Sequence, residues 1–69
     1  MTEKELLYVE DAIGHEKTII KVCEDTINKL QSEELKTFME NEIQIHQNTQ
    51  DELIKLLEVK TNEWSDTNG

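Results

Sequence analysis

Glu16, Glu42 and His46 are the side chains of this 69-residue chain whose types and spacing could do chemistry. Carboxylate oxygens and imidazole nitrogens are ligands for iron and manganese. The stretch Glu42-Ile43-Gln44-Ile45-His46 sets a carboxylate and an imidazole four residues apart, about one helical turn, and therefore on one face. Glu16 falls in the same kind of place in the first half of the chain. Other chemistries lack their parts. Ser32 and Ser65 have no histidine beside them, and there is no Gly-rich loop, so neither nucleophilic hydrolysis nor phosphoryl transfer has a site. The acidic residues are spread along helices and not gathered into a Ca²⁺ loop. Cys23 is the sole cysteine and reads as a small core residue; His15 reads as a flanking or interface histidine.

The elements that must position these residues are helices. The chain has no proline and only two glycines, Gly14 and Gly69, and is rich in Glu, Lys, Leu, Gln and Ile. Thr2-Glu3-Lys4-Glu5 is a capping box that starts a first helix over about 3–30. Its apolar positions recur at alternating three and four spacing: Leu6, Val9, Ile13, Ile20, Cys23, Ile27 and Leu30, with Glu16 filling the skipped beat. Ala12, Ile19 and Val22 widen this stripe. Ser32 is an N-cap for a second helix over about 33–60, with Glu33 and Glu34 at the positive end of its dipole. Its stripe reads Leu35, Phe38, Met39, then Glu42, His46 and Thr49, then Leu53, Leu56 and Leu57. Asp25 and Lys29 are spaced for an ion pair on the outer face. Residues 61–69 form a polar, largely disordered tail. The fold expected is an all-α antiparallel hairpin over 1–60, since a short connection makes the helices neighbours.

Sixteen acidic against seven basic side chains give a net charge of −9. That balance argues against nucleic acid and against an anionic membrane surface, both of which need a positive patch. No apolar run approaches the ~18 residues that span a bilayer, so the expected location is cytoplasmic. A stripe this wide leaves apolar surface wet in a lone hairpin. Two hairpins packed as a four-helix bundle would cover it, so a homodimer or higher even oligomer is expected, with other proteins as further partners. Counted from the turn, Glu16 and His46 stand at the same height and Glu42 lies one turn nearer the loop. A dimer would bring two copies of each into its middle, which is the ligand set of di-iron and di-manganese carboxylate bundles. The same band without a metal would act as a polar layer that sets register and partner.

The residues from about Leu7 to Leu57 resemble the short ferritin-like hairpins of the spore coat protein F type. The resemblance is carried by His15-Glu16, Ser32-Glu33-Glu34-Leu35, Phe38, Glu42 through His46, and the leucines at 53, 56 and 57. It implies a ferritin-like bundle and a role connected with sporulation or the coat, and hence a spore-associated location. Ferritin-like metal sites place glutamate three residues before histidine, where this chain has Ile43. The function expected, from the wide stripe, the acidic surface and the lack of a nucleophile-base constellation, is a self-associating structural or interaction module more than an enzyme. The alternative is a di-metal carboxylate protein holding iron or manganese through Glu16, Glu42 and His46, with ferroxidase activity.

Overall fold

The computed structural model describes the backbone of residues 1–68 and the side chains of residues 1–59. Two helices make up the chain, α1 over Glu3–Ile27 and α2 over Glu33–Asn68, and there is no strand among the described residues. Thr2 caps α1 as its sequence requires: its hydroxyl accepts from the Glu5 amide at 3.1 Å, and the Glu5 carboxylate accepts from the Thr2 amide at 2.8 Å. That reciprocal pair satisfies two backbone donors that the first turn leaves without a partner. The Ser32 hydroxyl accepts from the Leu35 amide at 3.3 Å and starts α2 in the same way.

Two boundaries differ from the sequence reading. α1 stops at Ile27, three residues short of the expected end, and the chain turns through Asn28 with the amides of Lys29 and Leu30 bonding back to Thr26 and Ile27. Lys29 thereby leaves the helix surface, and Asp25 pairs with Lys21 at 3.2 Å instead of with Lys29. At the other end α2 passes Lys60 and keeps helical backbone to Asn68, because no proline or glycine precedes Gly69 to stop it. The side chains of residues 60–68, and all of Gly69, lie outside the described residues. Gly14 has open space where a Cβ would stand, so it marks neither a bend nor a close approach.

The helices pack antiparallel along one seam. α1 contributes Leu6, Val9, Ile13, Glu16, Ile20, Cys23 and Ile27; α2 contributes Met39, Glu42, Ile43, His46, Thr49, Leu53 and Leu57. Only Ile20 and Cys23 are buried among the described residues. The sequence stripe placed Leu35 and Phe38 on this seam. They are instead 52% and 58% exposed, because near the turn α2 meets α1 with Lys36 and Met39. Tyr8, Val22, Ile45, Leu56 and Val59 are similarly half-open. The molecule is a rod of 54 × 16 × 12 Å with a radius of gyration of 16.1 Å. A compact chain of this length would have a radius near ~11 Å. Its accessible surface is 5438 Å², against about 4,500 Å² for a globular monomer of this mass.

Hydrogen bonds from the Thr2 amide, and then from its hydroxyl, hold the Glu5 carboxyl below the ordinary carboxylate range. A carboxyl whose folded value is lowered adds stability that is full above its unfolded value and is lost as pH falls through the folded one. The protection of the Glu5 and Leu6 amides, taken relative to their intrinsic exchange rates, is therefore expected to fall in acid below the usual carboxylate range, and Thr2→Ala to remove that pH dependence. At neutral pH Thr2→Ala should cost about 1 kcal/mol in urea unfolding.

Candidate functional site

Glu16 reaches the seam because it sits on the same three-four spacing as Val9, Ile13, Ile20 and Cys23; Glu42 and His46 do so on α2 for the same reason. The seam brings all three together. His46 Nδ1 lies 2.5 Å from Glu16 Oε2, and His46 Nε2 lies 3.8 Å from Glu42 Oε2. The Glu16, His46 and Glu42 side chains are 17%, 25% and 34% exposed, so water reaches the cluster from one side only. Among the described residues, the Glu16–His46 contact is the one side-chain hydrogen bond that joins the two helices; the others span three or four residues within one.

The order of contacts decides what the cluster can do. Imidazole carries its two nitrogens on different edges of the ring, and here each edge meets a different carboxylate. With the proton on Nδ1, Glu16 accepts a charge-assisted hydrogen bond and fixes the tautomer and the ring orientation. Nε2 is then left facing Glu42. A charged ring donates at both nitrogens, although 3.8 Å is an ion-pair separation and not a hydrogen bond.

A metal ion needs three or four donors converging on one point at about 2.0–2.2 Å. Among the described residues no group of three or more His, Cys, Asp or Glu side chains is placed to hold one. Only Nε2 and Glu42 face each other; Glu16 addresses the opposite edge of the ring and is positioned to orient His46. The three expected ligands are thus brought together, but within one chain they do not share a centre. His15 is exposed on α1 beside the seam, and Cys23 is buried within it, away from solvent. The described residues include no helix long and apolar enough to cross a membrane.

Compared with protein families, with curated proteins and with solved structures, the chain matches none.

The cluster makes a double-mutant expectation. His46→Ala leaves a mostly covered carboxylate without its donor and should cost about 1–3 kcal/mol in urea unfolding. Replacing both partners, Glu16→Leu with His46→Leu, should recover most of that loss or exceed wild-type stability, because no buried charge is then stranded. Additive losses in the four-member cycle would show that the contact carries no coupling.

Proposed function

We propose that this chain is a self-associating helical hairpin whose role is assembly, with two copies packing into a four-helix bundle. The observation that carries the reading is the set of large apolar side chains stranded outside the seam: Tyr8, Val22, Phe38 and Ile45 are each more than half exposed. An isolated hairpin of this length gains too little from two buried residues to order two helices, since each ordered residue costs about 1–2 kcal/mol of backbone entropy. A second copy offers the same surplus of apolar surface, and covering it returns about 25 cal/mol per Å². Within this reading the resemblance to spore-coat hairpins suggests a structural component that builds on itself or on other proteins.

A second reading is favoured by one contact. Glu16 on Nδ1 aims His46 Nε2 toward Glu42, and a carboxylate holding one ring nitrogen is what orients the other toward a metal. One chain supplies two converging donors, so an iron or manganese site would draw the rest from a second chain. Equilibrium dialysis against Mn²⁺ or Fe²⁺ tests it. This reading expects near-stoichiometric retention by wild type, at least tenfold weaker retention by Glu42→Gln, and a smaller loss in Glu16→Gln. No retention by wild type removes it.

The assembly reading is checked by sedimentation equilibrium. Wild type is expected to be a dimer or larger even species at micromolar concentration. Phe38→Glu, at a position already open in the single chain, should keep its helix content and weaken association by about 2–4 kcal/mol. A well-folded wild-type monomer at micromolar concentration overturns the reading.

A further inference from the structure

Most of the stranded apolar residues lie on one side of the hairpin, Leu7 being on the other, in an order that favours one way of pairing. On α1 the positions Tyr8, Ala12, His15, Ile19 and Val22 repeat at four-three spacing, roughly a quarter-turn from the seam. On α2 Leu35, Phe38, Ile45, Glu52, Leu56 and Val59, with Glu42 and Thr49 at the edge of the seam completing the three-four repeat, are displaced from the centre of the seam by a similar angle in the same rotational sense. Because the helices run antiparallel, one sense of rotation on each carries both rows to the same side. Together the exposed apolar side chains of the two rows present about 800–900 Å² per chain, taking roughly 200 Å² for a fully open large side chain. Monomers rarely expose a contiguous patch above a few hundred Å², and about 800 Å² per partner is the area of a standard stable interface.

Each row is also close to symmetric about one centre. About His15, Tyr8 mirrors Val22, and Ala12 and Ile19 flank it at three and four residues. About Gln47, Leu35 mirrors Val59, Phe38 mirrors Leu56, and Ile45 mirrors Thr49. The two centres are level: Glu16 touches His46, and one residue farther from the turn on each helix stand His15 and Gln47. A single two-fold axis at that height, perpendicular to the helices, therefore satisfies both rows at once.

Resting on the assembly reading above, we propose that this face takes a second copy of the chain with its turn at the opposite end, α1 against α1 and α2 against α2. The pairing sets Tyr8 on Val22 of the second copy, Phe38 on Leu56 and Leu35 on Val59, with His15 meeting its own copy at the axis. Two layers related by the axis set like charges together, Glu42 against Glu52 of the second copy and the reverse, and there Glu42 already has His46 Nε2 3.8 Å away. The alternative, with both turns at one end, puts α1 on α2 of the second copy. Counted from the level of Glu16 and His46, it brings Ile19 beside Glu42 and sets Tyr8 between Glu52 and Leu56, so apolar side chains of α1 would cover carboxylates of α2, whereas the proposed pairing gives Tyr8 an apolar partner in Val22.

The test measures the distance between the two turns. A spin label at Gln31→Cys, in a chain carrying Cys23→Ala (or Cys23→Val should alanine unfold it), is read by pulsed dipolar spectroscopy on a sample whose dimeric state is fixed by sedimentation. Sixteen residues of helical rise on each side of the axis give an expected label separation of about 45–50 Å. A dimer with a separation under about 40 Å overturns the proposed pairing while leaving assembly intact. A monomer in sedimentation overturns the assembly reading, and the pairing falls with it.

Discussion

Two helices can cover each other only along the line where they touch, and everything else about this chain follows from that constraint. The line is spelled by the three-four repeat from Leu6 to Ile27 and from Met39 to Leu57. It buries Ile20 and Cys23, half-covers the remainder, and among the described residues leaves large apolar side chains such as Tyr8, Val22, Phe38 and Ile45 outside. A rod 54 Å long and 12 Å thick has no interior in which to hide them. The short connection over 28–32 fixes the register of this seam to within about a turn. The Glu16–His46 contact sets it within that range. A carboxylate and an imidazole at hydrogen-bond distance have one register in which both are satisfied, and a shift of one turn would leave both half-covered and unpaired.

The same contact restrains the chemistry. A histidine among carboxylates suggests a metal ligand when only residue types are considered. In the folded chain its two nitrogens are divided between Glu16 and Glu42, on different edges of the ring. Such a cluster orients and holds; it does not enclose. Cys23 is buried on the seam. Beside the cluster the described residues leave Tyr8, Val22, Phe38 and Ile45 more than half open.

The helical repeat, the Thr2–Glu5 box, the Ser32 cap and the equal height of Glu16 and His46 are all local or arithmetical properties, and each was legible in the residues. A helix advances at a constant rise, so residues equidistant from a short turn must meet. Other features depended on how one helix rolls against the other. Leu35 and Phe38 continue the apolar repeat and read as seam residues, yet near the turn the seam passes to Lys36 and Met39. A repeat near 3.5 drifts around a helix of 3.6 residues per turn, and nothing local says where along the chain the stripe crosses from seam to flank. The early stop of α1 at Ile27 is of the same kind, because Asn28, Lys29 and Leu30 are acceptable in either helix or turn.

Composition and periodicity by themselves determined that this is a helical hairpin, that it is strongly acidic, and that its polar residues at 16, 42 and 46 share a band. These are consequences of spacing along one dimension. Tertiary packing alone decided that Glu16 takes Nδ1 and Glu42 faces Nε2, so that three candidate ligands became one oriented imidazole between two acids. Packing also decided which apolar residues face the partner helix and which stay open. Both depend on the rotation of one helix about its axis relative to the other, which is set by how side chains interdigitate across the seam and is written in no single stretch of sequence.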